Sequence, residues 1–94
     1  MTPGDFTESV GKPVPPPGLS GPVQALWWAA KGDWEKAHTL VMSDETAEAA
    51  WVHAYLHRLE GDLPNARYWY RVAAKPEAQG AIEEEWNNIV GALL

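Results

Sequence analysis

The feature that most constrains this chain is a glycine–aspartate pair that occurs twice, 29 residues apart. The pattern Gly–Asp–apolar–x–x–Ala occupies residues 32–37 and again residues 61–66. Glycine ends a helix readily because it adopts the left-handed conformation, and aspartate caps the next helix by accepting hydrogen bonds from its first amide groups. The shared alanine allows two antiparallel helices to approach closely. The pattern therefore predicts two helix hairpins, which must stack because neither can bury its apolar side alone.

Turn and cap residues divide the chain from Pro22 onward into about five helices. The helices are predicted over residues 22–31, 33–41, 43–61, 62–76 and roughly 78–94. The last of them carries one apolar stripe at helical spacing, and its early turn contains Glu83, Glu84 and Glu85, which are expected to face solvent. No segment alternates polar and apolar residues with a period of two. The sequence thus predicts an all-α fold of two antiparallel hairpins and a C-terminal capping helix.

The first 21 residues differ in composition from the rest of the chain. Six of the eight prolines fall within residues 1–22, and Pro15, Pro16 and Pro17 are consecutive. Proline has no amide hydrogen for a helix or sheet and favours the extended polyproline II conformation. Residues 1–21 are therefore predicted to be a flexible, proline- and glycine-rich leader, and residues 22–94 the helical domain.

Residues 22–76 resemble the tetratricopeptide repeat and its Sel1-like relatives. The similarity is strongest in the second unit, where seven residues occupy the small, turn and aromatic positions of the family: Ala54, Gly61, Asp62, Leu63, Ala66, Tyr70 and Ala73. The chain departs from the family pattern at His57, which replaces the usual tyrosine, and at Pro76, which comes about two residues early. The resemblance implies a two-hairpin stack that serves as a binding scaffold. The tryptophan-rich layout also resembles that of small bacterial proteins without an assigned function.

Charge and composition exclude several classes of function. The chain has 13 acidic and 7 basic residues and a net charge of −6, which disfavours a nucleic-acid partner. Without cysteine it can form no disulfide and no thiolate site. No apolar run approaches the ~20 residues that cross a bilayer, and the amino terminus does not resemble a signal peptide. A cytoplasmic protein with no membrane partner is expected.

Two histidines have a spacing that suits a metal ion. His53 and His57 are four residues apart on a predicted helix, so both imidazoles leave the same face, and His38, Glu60 or a carboxylate of the last helix would have to supply a third ligand. The segment lacks the glutamate of a zinc metalloprotease motif. Because the helix is apolar on its other faces, buried structural histidines are favoured over ligands. A metal-binding protein or metal-dependent enzyme is retained as the alternative.

The aromatic residues provide the main functional hypothesis. Six tryptophans and three tyrosines are too many for the interior of so small a domain, so some rings should be exposed. The repeat resemblance places Trp51, Tyr55 and Arg58 on the side where such stacks meet ligands, and Trp28 and Tyr68 are outer candidates. We expect a non-catalytic module that binds a protein or peptide, without a cofactor. A homodimer that uses the same rings is a further alternative, and no catalytic constellation is present.

Overall fold

The computed structural model describes residues 1–94 and consists of six helices with no strand. The helices are α1 (Pro3–Ser9), α2 (Gly21–Ala30), α3 (Trp34–Val41), α4 (Ala47–Glu60), α5 (Leu63–Ala73) and α6 (Ile82–Leu93). Helices α2 and α3 form one hairpin and α4 and α5 the other, and α6 closes the stack. The structure confirms the predicted all-α fold of two hairpins and a closing helix, and it contains one helix more than expected.

The two glycine–aspartate turns form as the repeated pattern predicts. Gly32 and Gly61 adopt the left-handed conformation, with φ of +90° and +89°. The side chain of Asp33 accepts a hydrogen bond from the amide of Lys36, and the side chain of Asp62 accepts one from the amide of Asn65. Each aspartate therefore caps the second helix of its hairpin.

Helix α4 is the central element of the fold. It packs most extensively against α5 and also contacts α2, α3 and α6. Its buried residues lie on nearly every face because it has neighbours on several sides. Helix α4 begins after Thr46, whose side chain caps it, and not at the Ser43–Glu45 cluster where the sequence predicted the start.

The prediction of a leader outside the folded body is wrong for the first helix. Thr2 and Asp5 form a capping box that starts α1, with Pro3 in the first turn, where its missing amide hydrogen costs nothing. Phe6 is fully buried and stacks on Trp86 of α6, with ring centroids 5.7 Å apart. The proline content of residues 1–21 led to the prediction of a flexible leader, although the segment contains a short helix whose Phe6 side chain packs in the core.

The core contains the largest rings of the chain. Trp27 is fully buried, and its indole N–H donates a hydrogen bond to the Ser9 hydroxyl at 3.1 Å. The indole N–H of Trp86 donates to the carbonyl of Leu26 at 2.9 Å. These bonds satisfy the polar atoms of rings that would otherwise be costly to bury. Part of the tryptophan excess is thus explained by the core.

Candidate metal centre

All three histidines of the chain meet where the two hairpins pack together. His38 comes from α3, and His53 and His57 come from α4. One ring nitrogen from each residue lies within 4.8 Å of the other two. The α-helical spacing places His53 and His57 on one face of α4, and the packing of α3 against α4 brings His38 to them.

The distance between His38 and His53 is close to that of two ligands in a metal centre. The Nε2 atoms of His38 and His53 are 3.0 Å apart. Two imidazole nitrogens bound to one tetrahedral zinc ion at ~2.0–2.1 Å each are about 3.3 Å apart. The separation of this hydrogen-bonded pair thus lies within about 0.3 Å of that between two ligand atoms on one ion.

Glu60 fixes the tautomer of the neutral His57 ring. Its Oε2 atom lies 2.7 Å from Nδ1 of His57. Because a carboxylate only accepts, Nδ1 carries the hydrogen in the neutral ring and Nε2 keeps its lone pair. Metal-bound histidines in proteins commonly have this carboxylate partner on the second ring nitrogen.

The surroundings of His38 and His53 favour the neutral imidazole, which is the form that binds metals. Burial lowers the pKa of His53 to about 4, and positive charge on His38 or His57 would act in the same direction. Burial also lowers the pKa of His38, with His57 adding to the effect and Glu60 opposing it. Nδ1 of His53 is buried without a hydrogen-bond partner. One polar atom of the cluster is therefore left unsatisfied in a buried position.

Two tryptophans hold the histidine rings in place. Trp34 stacks on His38 with centroids 4.7 Å apart, and Trp69 stacks on His53 at 4.0 Å. The indole N–H of Trp34 donates to the carbonyl of Leu56 at 2.7 Å, which fixes the orientation of this ring. The cluster is consequently preorganised by packing from α3 and α5. The i, i+4 spacing of Trp34 and His38 was a signal for the first contact, but the sequence did not link Trp69 to the site.

The predicted aromatic face is not an open surface. Tyr55 is only 4% exposed and belongs to the core. Arg58 is mostly buried, donates to Glu85 at 3.0 Å and also donates to the carbonyl of Gly80. Of the three, Trp51 lines an open cleft beside residues 75–79, and Arg58 lines a smaller opening between α5 and residues 77–80. Helix α4 is too central for its Tyr55 face to remain accessible.

The outer candidates lie on two other helices. Trp28 on α2 is half-buried, with the ammonium of Lys36 4.2 Å above its ring. Tyr68 on α5 is half-exposed and packs edge-on against Trp69 at 5.1 Å. The structure therefore does not unite Trp28 and Tyr68 in one patch with Trp51.

The acidic start of the last helix is not uniformly solvated, contrary to the sequence prediction. Glu83 and Glu84 are exposed, but Glu85 is buried. Its two carboxylate oxygens accept hydrogen bonds from Arg58 and from the hydroxyl of Tyr70, the latter at 2.5 Å. Arg67 pairs with Glu77, at 3.6 Å, in the segment before α6.

The fold and the site define an all-helical protein with a three-histidine cluster between two hairpins. Comparison with known proteins gives no match, whether to a family model, to a curated protein or to a solved structure. Kinship with tetratricopeptide repeats accordingly stays a prediction. None of the six helices combines the length and the apolar character that crossing a bilayer requires.

Proposed function

We propose that this protein binds a divalent transition-metal ion through His38, His53 and His57. The observation that carries the proposal is the convergence of the three imidazoles within 4.8 Å from two different helices. Imidazole ligands suit zinc, copper and nickel, and three of them leave a position on the ion for water or another ligand. Glu60 supports the site by holding His57 in the tautomer that coordinates through Nε2.

Calorimetric titration of untagged, chelator-treated protein with zinc or nickel tests this proposal. We expect binding of one ion per chain with micromolar or tighter affinity. The absence of a polyhistidine tag is essential because a tag would itself bind these metals. No saturable binding at micromolar concentrations would overturn the proposal.

Variants show whether the ion binds at the cluster. His38→Ala is the safest ligand variant because His38 is only half-buried, and it should reduce affinity at least about 100-fold. Glu60→Gln should reduce it about 10-fold, since the carboxylate acts through His57. Glu48→Gln, an exposed acid on the same helix, is the matched control and should leave affinity unchanged. Equal affinity in wild type and His38→Ala, with both proteins folded by circular dichroism, would place the ion elsewhere.

Peptide binding is a second candidate function, and the position of Trp51 favours it. The Trp51 ring is half-buried and lines an open cleft beside the segment that connects α5 to α6. Tyr55 is excluded from this surface because it lies in the core. Titration of labelled protein with short peptides, followed by nuclear magnetic resonance, should shift the Trp51 indole signal and leave that of Trp28 unchanged. Shifts confined to other surfaces would contradict this assignment.

A further inference from the structure

An open cleft with one aromatic wall lies between α4, α6 and residues 75–79. It encloses about 620 Å³, within the ~300–1,000 Å³ typical of ligand sites. Its walls include Trp51, Gln79, Glu84 and Asn88, so one aromatic face stands among polar groups. Arg58 donates a hydrogen bond to the carbonyl of Gly80 and thereby ties the loop side of the cleft to α4.

The chain's own ammonium group occupies the aromatic wall. Nζ of Lys75 lies 4.3 Å above the Trp51 ring, which is a cation–π distance. Lys75 forms no ion pair with any carboxylate and is exposed. The Trp51 ring therefore accepts an alkylammonium group. The ammonium of Lys75 can leave the ring because the Lys75 side chain is exposed.

The charges around the cleft also suit a cation. Glu85 is neutralised by Arg58, and Glu77 pairs with Arg67 at 3.6 Å. Glu84 has no ion-pair partner and is exposed at the cleft. Together with the net charge of −6, this unpaired carboxylate makes the opening complementary to a basic side chain.

We propose that the cleft binds the lysine side chain of a peptide segment, with its ammonium replacing that of Lys75 over Trp51. Glu84 would pair with the incoming ammonium, and the amides of Gln79 and Asn88 would hydrogen-bond the peptide backbone. The volume of the opening exceeds what one side chain fills, which favours a peptide over a free amine. This inference rests on the second candidate function, peptide binding, and is independent of the histidine cluster.

The test compares two acetylated and amidated pentapeptides, one with a central lysine and one with norleucine, which has the same alkyl chain without the charge. Nuclear magnetic resonance titration of the full chain should show the Trp51 indole shifting with the lysine peptide and at least about threefold weaker binding of the norleucine peptide. Glu84→Gln should weaken the lysine peptide about threefold. Methylammonium chloride serves as the free-amine arm and should not reproduce the shift at equal concentration.

The Lys75→Ala variant gives the most specific readout. Removing Lys75 vacates the Trp51 face and removes a repelling charge, so the lysine peptide should bind about threefold more tightly. Lys36→Ala is the matched control because Lys36 lies over a different tryptophan, Trp28, and it should leave binding unchanged. A neutral or weakening effect of Lys75→Ala would overturn the inference.

The remaining outcomes separate this inference from the function on which it rests. Equal binding of both pentapeptides at Trp51 would preserve peptide binding and overturn lysine recognition. No shift at Trp51 with either peptide would overturn both. A shift produced equally by methylammonium would replace the peptide with a small amine as the ligand and so overturn the proposal.

Discussion

Glu85 is the residue through which three helices are joined by polar contacts. It lies on α6 and binds Arg58 of α4 and Tyr70 of α5 through its two carboxylate oxygens. Burying a carboxylate costs free energy unless its oxygens are paired. Removing one member of such a group leaves the remaining buried polar atoms without partners. Burial raises the pKa of Tyr70, and its hydrogen bond to Glu85 acts in the same direction. This network orients α6 against the second hairpin.

Glu85→Ala should therefore destabilise the protein by about 3 kcal/mol. The substitution leaves the guanidinium of Arg58 and the hydroxyl of Tyr70 without their partner in a buried setting. Urea unfolding followed by circular dichroism measures the change. Glu84→Ala, one residue away but exposed, is the control and should change the free energy of unfolding by less than about 0.5 kcal/mol. Equal effects of the two variants would show that the buried network adds no stability.

The raised pKa of Tyr55 indicates that the free energy of unfolding should fall in alkaline solution. Burial raises its pKa to about 12, with the charge of Glu85 acting in the same direction and that of Arg58 opposing it. In the unfolded chain the pKa of tyrosine is about 10, so the folded state holds the proton more tightly. The stability that the protonated Tyr55 contributes to the fold is complete below pH ~10. It is lost as the pH rises towards ~12, and the total loss is at most about 3 kcal/mol.

Urea unfolding at pH ~8 and ~11 should thus show lower stability at the higher pH. Tyr55→Phe removes this titrating group, so its stability should fall less between the two conditions. A residual fall is expected because the pKa of Tyr70 is raised as well. An equal fall in wild type and Tyr55→Phe would mean that Tyr55 titrates normally.

At the scale of elements, the two hairpin turns share one hydrogen-bonding scheme. Asp33 donates its amide hydrogen to the carbonyl of Trp28 at 2.9 Å, and Asp62 donates to that of His57 at 2.9 Å. The glycines before them donate to Ala29 and Arg58, at 3.0 and 3.1 Å. This scheme needs a left-handed residue at the turn, which explains why glycine recurs there.

Gly61→Ala should destabilise the protein by about 1–2 kcal/mol, since alanine is strained at φ +89° even though open space surrounds the position. Gly32→Ala should have a similar effect, at φ +90°. Gly91→Ala is the internal control because it lies inside α6, also in open space, and should stabilise by about 0.5–1 kcal/mol. Thermal or urea unfolding gives all three values. The same sign in all three variants would contradict the assigned turn geometry.

The sequence predicted these elements well because their signals are local. A left-handed glycine and a capping aspartate act within a few residues, so the hairpins could be placed without knowledge of packing. The start of α1 is also local, at Thr2 and Pro3, but the nearby prolines obscured it. Residues brought together by tertiary packing were harder to predict.

The histidine cluster and the buried glutamate illustrate this limit at the site. The pairing of His53 and His57 was visible because a helix face follows from spacing, whereas His38 was only one of three alternatives for a third ligand. The stacking of Trp69 on His53 and the burial of Glu85 depend on how α5 and α6 pack against α4. Exposure of Tyr55 was predicted wrongly for the same reason, since α4 has neighbours on several sides and Tyr55 lies in the core between them.

At the scale of the whole molecule, the first helix completes the core. The radius of gyration of 12.1 Å equals the ~12 Å expected when a chain of this length packs as one compact body. Phe6 contributes a fully buried ring, and Ser9 accepts the hydrogen bond of Trp27. Because α6 contacts α1 as well as α2 and α4, the N-terminal residues help to hold the closing helix in place.

Phe6→Ala should accordingly destabilise the protein by about 3–4 kcal/mol, because it leaves a cavity beside Trp86. Val14→Ala, at a residue that is 67% exposed, is the control from the same segment and should cost less than about 0.5 kcal/mol. A protein that begins at Pro13 should lose at least as much as Phe6→Ala, since it also removes Ser9, the hydrogen-bond acceptor of Trp27. Urea unfolding of these variants decides between a leader and a structural helix. If the truncated protein unfolded at the same urea concentration as the full chain, α1 would contribute nothing to the core, and a leader over residues 1–21 would be the better description.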